Sequence, residues 1–286
     1  MGRTFYLTGK VSIETYRQME AYTVDLELAG KRAFVSGSTQ GIGYAIAEAL
    51  LAEGASVVVN GRAEARVAAA VEKLRDAHPE AAVSGLAADF ADPEQVRRML
   101  DVLGEVDILV NNVGVFDVAA FEEISDDDWR RYFEVNVMSG VRLSRHALPA
   151  MLARGWGRIL FISSESGVNV PADMTHYGVT KAGMLALGNG LAKRTRGTGV
   201  TVNTILGGPT YSEGVARAVE QISLEREVPA EQIKSAVAAG NTTSLLERFL
   251  EPVEIARLAT YLASPVSSAT NGAAVRADGG VLTTIL

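Results

Sequence analysis

The sequence predicts an α/β protein: one doubly wound domain with a seven-stranded parallel sheet and helices on both faces. Three observations carry that prediction. Seven short runs rich in aliphatic and β-branched residues alternate with helix-length amphipathic segments along the chain. Several of those runs, SVVVNG among them, are continuously apolar, as strands buried on both faces must be. The chain has 286 residues, 48% hydrophobic and 21% charged, and shows no internal repeat or interdomain linker, which suits one large domain.

The elements follow in order. RAFVSGS (32–38) is a short strand ending at a glycine, and 43–54 has helical spacing, with Ile46, Leu50 and Leu51 on one face and Gly54 as a stop. SVVVNG (56–61) is the second strand, and 63–79 a helix closed by Pro79. Residues 82–89 lead to Asp89; Pro93 opens the next helix at a first-turn position. VDILVNNVG (106–114) is a buried strand, and 126–155 a long helical stretch. GRILFISS (157–164) is a strand, 175–197 a helix and VTVNTIL (200–206) a strand. The stretch 212–240 is helical with a break at Pro229, 252–264 is a helix, and 273–280 is a last short strand and turn. Crossovers between parallel strands are expected to be right-handed.

Composition excludes several chemistries. With no cysteine there are no disulfides, thiolate nucleophiles or cysteine-held metals. His78, His146 and His176 are not at ligand spacing, so no metal site is expected. A net charge of −7 argues against nucleic acid as a partner. No apolar run approaches the roughly 20 residues of a membrane helix, so no membrane association is expected. Residues 1–23 read as an N-terminal appendage without a secretory or transit pattern, which makes the cytoplasm the expected location, and 24–286 as the domain.

The first chemical signal is SGSTQGIG (36–43), placed between a strand and a helix. Gly37 permits a tight turn, Gly41 lets the backbone approach a pyrophosphate, and Gly43 allows close helix–strand packing. The helix N-terminus then offers free N–H groups to phosphates. The spacing is Gly-x3-Gly-x-Gly, and other motifs follow: Asp89 after the third strand, NNVG (111–114), Asn136 in a helix, Ser164 after the fifth strand, Tyr177-x3-Lys181, VNTILGGPT (202–210) and NGAAVRADGG (271–280).

Together these resemble the short-chain dehydrogenase/reductase family. The resemblance covers nearly all of the chain from Leu26 to Gly280. It implies a Rossmann-type domain carrying cofactor and substrate sites together, assembled as a homotetramer or homodimer through the helices around 129–154 and 175–194. It also implies that Ser38, Gln40 and Ile42 join the three glycines around the cofactor. Asp89 and Phe90 resemble the pair beside the adenine ring, and the alternative for Asp89 is a helix cap before Pro93. Asn112 and Gly114 would let the backbone pass the adenosine ribose. Gly208, Thr210 and Ser212 stand where the family covers the nicotinamide. The family's Pro-Gly is here Gly207-Gly208, which should loosen that loop.

The reaction logic is visible in the residues. A phenol of ordinary pKa about 10 does not ionise easily near neutrality. Lys181 lies one helical turn from Tyr177, and its charge favours the phenolate, so Tyr177 reads as general acid for reduction and base for oxidation. Ser164 ends a buried strand and can hydrogen-bond the substrate oxygen. By resemblance, Lys181 also holds the nicotinamide ribose and Asn136 supports a water relay to it. At the end of the second strand an acid would mark NAD(H); Asn60-Gly61-Arg62 stands there instead, and Arg62 suits a 2′-phosphate, favouring NADP(H) over NAD(H) unless Glu64 neutralises it. His176 and Glu165 flank the catalytic positions and either touch a polar substrate or point away.

The leading expectation is therefore an NAD(P)(H)-dependent oxidoreductase acting on a small carbonyl or alcohol. A 3-oxoacyl-thioester reductase and a catalytically silent nicotinamide-binding regulator are the alternatives, the latter disfavoured by the intact Ser164, Tyr177 and Lys181. Residues 211–251 are expected to form a substrate lid beyond the strand ends, with Val215, Val219, Ile222 and Leu224 shaping the pocket.

Overall fold

Seven strands form one sheet in the computed structural model, which describes residues 24–285: β1 (Arg32–Val35), β2 (Ser56–Gly61), β3 (Val83–Ala87), β4 (Ile108–Asn111), β5 (Trp156–Ser164), β6 (Gly199–Gly207) and β7 (Ala274–Ala277). All pairings are parallel and the order is β3-β2-β1-β4-β5-β6-β7. The doubly wound α/β sheet read from the sequence is the one present. The appendage expected over residues 1–23 lies outside the described residues.

Alternation along the strands divides the core into two layers. In β5, Leu160 and Ile162 face one layer while Ile159 and Phe161 face the other. The first layer packs against helices α1 (Gly41–Ala52) and α2 (Glu64–Ala77) through Ile46, Leu50 and Leu74. Further along the chain, Ile255 and Leu262 complete that layer from the helix Pro252–Ala263. The second layer packs against α3 (Pro93–Leu103) through Val96 and Met99.

Local signals explain several boundaries. Asp92, not Asp89, caps α3: its carboxylate accepts from the N–H groups of Glu94 and Gln95, and Pro93 fills the first helical position. Ser125 caps α4 (Asp126–Tyr132) by accepting from Asp128 N–H. The long helical stretch then passes through a π-helical turn, Phe133–Met138, into α5 (Ser139–Arg154). Such a turn carries an extra residue and re-aims its side chains; here it contains the fully buried Asn136. Helix α6 (Thr175–Ala192) runs behind β5, and Leu143 of α5 and Met184 of α6 complete the second core layer.

The stretch 212–240 breaks where expected. Helix α7 (Glu213–Arg226) ends at Glu227, whose φ is +53°, and Pro229 precedes α8 (Ala230–Gly240); α9 is Pro252–Ala263. No helix among the described residues is long and apolar enough to cross a membrane. The chain reverses direction in the sheet between β1 and β4, and that switch point opens a crevice at the strands' C-terminal edge.

Candidate active site

The crevice is floored by the glycine turn between β1 and α1. Gly37 and Gly41 have φ of +62° and +61°, conformations costly to residues with a Cβ. A methyl on Gly43 would stand 2.4 Å from both the Gly37 carbonyl oxygen and Asn112 Nδ2, so the turn closes only over a bare Cα. Two asparagines hold it in shape. Asn60, at the end of β2, accepts from Gly37 N–H at 3.1 Å, and Asn112 donates its amide to the carbonyls of Ser36 and Gly37 at 2.9 Å each. The Ser36 hydroxyl accepts from the N–H groups of Asn112 and Val113. Ser38 is buried with its hydroxyl spent on the Val35 carbonyl and Asn60 N–H, so only its backbone can serve a ligand.

At the N-terminus of α1, Gln40 makes no side-chain cap and the first turn holds no acid; half-buried Ile42 packs on the core beneath it. The uncapped N–H groups and the dipole fit an anionic diphosphate. Gly114 leaves open the space before the Lys181 ammonium: a methyl there would lie 3.5 Å from Nζ. These features fit a nicotinamide dinucleotide.

Ser164, Tyr177 and Lys181 meet beyond β5. Ser164 is its last residue, and Tyr177 and Lys181 lie on consecutive turns of α6. The Ser164 hydroxyl acts on the Tyr177 phenol as a nearby donor. Lys181 Nζ lies 5.5 Å from the Tyr177 ring centre and donates to the Ile162 carbonyl at 2.9 Å. Burial pushes the Tyr177 phenol upward, reinforced by Glu165, while the Ser164 bond opposes it. Burial of the phenolate, rather than the lysine charge expected to favour it, sets the direction. Burial also brings Lys181 down to about 8, against an opposing pull from Glu165.

Asn136 links this cluster to the strand β4 loop. Its Oδ1 accepts from Val115 N–H at 2.8 Å, and its Nδ2 donates to the Val115 carbonyl and the Thr180 hydroxyl. Thr180 in turn donates to the Tyr177 carbonyl. Two surface clefts, of about 530 Å³ beside α8 and about 750 Å³ along the edge strand β3, contain none of these groups. The site is assigned on its chemistry, which only the crevice supplies.

Residues 31–223 match the family model described as short chain dehydrogenase. The chain belongs to the short-chain dehydrogenase family. It is 42% identical over 261 residues to the uncharacterized oxidoreductase YvaG of Bacillus subtilis, covering 91% of this chain and 99% of that one. It is 35% identical to the D-beta-hydroxybutyrate dehydrogenase of Cupriavidus necator, over 88% of this chain and 98% of that one. The L-sorbose reductase of Gluconobacter frateurii, solved with NADPH and L-sorbose, superposes with a TM-score of 0.87 at 31% identity, covering 92% of this chain and all of that one. The protein is therefore an oxidoreductase that uses a nicotinamide cofactor.

As a short-chain dehydrogenase, it places the remaining sequence-predicted residues around the same edge. Arg62 is exposed just past β2 with no ion pair, to Glu64 or any other acid among the described residues. Asp89 accepts from Ala91 N–H and donates its own N–H to Gln95 Oε1. The Phe90 ring is buried in the core, which leaves its backbone as the part that can line an adenine site. Gly207 completes β6, paired with Ser164 and Ala277, and Gly208 packs directly on the Asp278 backbone. Beyond them Thr210 bridges to Leu250, and Ser212 caps α7 beside Gly41. His176 is buried, its ring 4.0 Å from that of Tyr132.

Three participants escaped the sequence reading: the bracing side chain of Asn60, the cross-link from Asn136 to Val115, and Arg217 of α7, which donates to Gln40 Oε1 at 3.2 Å. Asn60 carried a signal, an amide at a strand end facing a glycine turn; the other two depend on long-range placement.

Burial of Lys181 has a measurable consequence. Its folded pKa of about 8 lies below the ordinary 10.5, so at pH 7 the folded chain bears the cost of a desolvated ammonium. Between about pH 8 and 10.5 the unfolded chain binds a proton that the folded chain has released, and stability rises with pH. Lys181→Met is expected to be more stable than wild type at pH 7, with the gap narrowing by pH 10. Urea midpoints at the two pH values check this, and a constant gap would contradict it.

Proposed function

We propose that the protein moves a hydride between NADP(H) and a carbonyl or alcohol carbon of a small substrate, with Tyr177 as proton donor in reduction and acceptor in oxidation. The observation that carries this is the convergence of Ser164, Tyr177 and Lys181 beside the open face of Gly114. Bound along the glycine turn, the cofactor supplies or accepts the hydride. The chain does the rest. A buried phenol kept neutral holds its proton until an oxygen of the substrate takes up negative charge, and the Ser164 hydroxyl can stabilise that oxygen. Lys181 lies where it can hold ribose hydroxyls. The Asn136 side chain is fully engaged with Val115 and Thr180, so a part in a water relay falls to its backbone.

Arg62 supports NADP(H): an unpaired guanidinium is free to grip a 2′-phosphate, possible in two hydrogen bonds at once. The NADPH-bound L-sorbose reductase supports the same choice. That neighbour and the D-beta-hydroxybutyrate dehydrogenase support a small hydroxy or keto compound as substrate. Residues 211–251 act as the lid. Ser212 and Arg217 lie on the glycine turn, and Tyr211 packs on Phe249 with Lys234 over its ring. Of the residues expected to shape the pocket, Val219 is buried but Leu224 is 81% exposed, which favours Val215, Val219 and Ile222 for that role. A homotetramer or homodimer is supported by Phe133 and Val179, which are exposed apolar side chains on the π-helical turn and on α6.

Three outcomes test this reading. Tyr177→Phe is expected to abolish turnover of a carbonyl panel while NADPH binding, followed by fluorescence, stays within about twofold, since only the proton donor is lost. Arg62→Ala is expected to weaken NADPH binding roughly ten- to hundredfold and leave NADH unchanged, the scale of a hydrogen bond to a charged group. Light scattering at micromolar concentration is expected to give four or two chain masses; a monomer mass would reject the assembly.

A further inference from the structure

The mechanism leaves one ionisable group at its centre unused. Glu165 follows Ser164 and opens the short 3₁₀ turn Glu165–Gly167 that leaves β5. Its carboxylate is half-buried. Oε2 accepts from the Ser164 hydroxyl and from Ser166 N–H at 2.9 Å, and Oε1 accepts from the Ser166 hydroxyl at 3.2 Å. Three donors therefore fix this side chain against the Ser164 hydroxyl. The turn packs on α6 and β6. From α6 it is faced by Tyr177 and Lys181, and β6 contributes no titratable side chain.

A serine hydroxyl has one proton to give. A carboxylate is a stronger acceptor than a neutral carbonyl, so while Glu165 is ionised the Ser164 proton points to Glu165 and away from the substrate oxygen. Ser164 then offers only lone pairs to that oxygen. When Glu165 is protonated the arrangement inverts: the carboxyl can donate to Ser164, and Ser164 can donate to the substrate carbonyl, each bond polarising the next. We propose that Glu165 is a positioning residue that controls, through its own ionisation, whether the Ser164 hydroxyl is available to polarise the substrate carbonyl. Carbonyl reduction is thereby favoured on the acid side of the Glu165 titration. The proposal rests on the Tyr177–Ser164 reading above. It alters no step of that reaction: the proton still comes from Tyr177, and Glu165 only directs a hydrogen bond.

The test uses the full chain as wild type, Glu165→Gln, Ser164→Ala, the double variant and Tyr177→Phe. Glu165→Gln keeps the shape and removes the charge. Infrared pH titration follows the carboxyl stretch that Glu165→Gln abolishes, and needs no substrate. Its midpoint is expected to rise in Ser164→Ala, because a donor to the carboxylate has been lost. Kinetics use 2,3-butanedione with NADPH. Wild-type kcat is expected to rise as pH falls through that midpoint. Glu165→Gln is expected to be flat there and about tenfold faster above it, with KM within about twofold, a fraction of what an oxyanion donor is worth. In the Ser164→Ala background the substitution is expected to change nothing. An infrared midpoint unmoved by Ser164→Ala, or superimposed kcat profiles for wild type and Glu165→Gln, would overturn the proposal. Full turnover by Tyr177→Phe would instead reject the reading beneath it, and an inert Tyr177→Phe with superimposed profiles would reject Glu165 alone.

Discussion

The side-chain amide of Asn136 ties together the three segments on which the site depends. It is completely buried and spends both its ends: it accepts from and donates to the backbone of Val115, just past β4, and it donates to Thr180 of α6. Thr180 is the residue before Lys181 and is itself bonded to the Tyr177 carbonyl. The loop that carries Gly114 and the helix that carries Tyr177 and Lys181 are therefore held at one spacing by one group. A π-helical turn is what delivers that group to its place, since the extra residue re-aims the side chains of an otherwise continuous helix. An unsatisfied amide at this depth would be costly, so the same burial that makes the brace expensive to lose also makes its geometry unique.

Desolvation then sets the chemistry. Tyr177 is partly and Lys181 almost wholly withdrawn from water, and burial acts on each against its charged form: the phenol is held neutral and the ammonium becomes easier to deprotonate. Ser164, Glu165 and the Ile162 carbonyl supply the polar contacts within this pocket. A phenol that keeps its proton until a neighbouring oxygen becomes basic is suited to reductive proton transfer. A lysine near 8 can change charge within the working range of an enzyme.

The cofactor side is built on the opposite principle, with backbone rather than charge. The glycine turn presents bare N–H groups at the start of α1, and its shape is maintained by Asn60 and Asn112, amides that serve as internal struts. Helix α7 returns to the same turn through Ser212 and Arg217, so the segment beyond β6 is in contact with the glycine turn.

Strand and helix order, the parallel sheet and the placing of Tyr177 and Lys181 on one helix were legible in the sequence because each rests on short-range pattern. Continuous apolar runs mark strands buried twice, Pro93 and Pro229 mark helix boundaries, and Tyr177 and Lys181 share a helix face by spacing alone. The family resemblance was legible because its motifs occur in order along almost the whole chain. Tertiary structure decided what those positions do with their atoms. Ser38 faces inward, the Phe90 ring lies in the core, His176 packs on Tyr132, and Asp92 takes the cap considered for Asp89. Glu165 turns onto Ser164, and burial, not the charge of Lys181, sets the direction of the Tyr177 shift. These outcomes depend on which side chains from distant segments compete for the same few donors, acceptors and water-free volume, and the order of residues along the chain does not contain that competition.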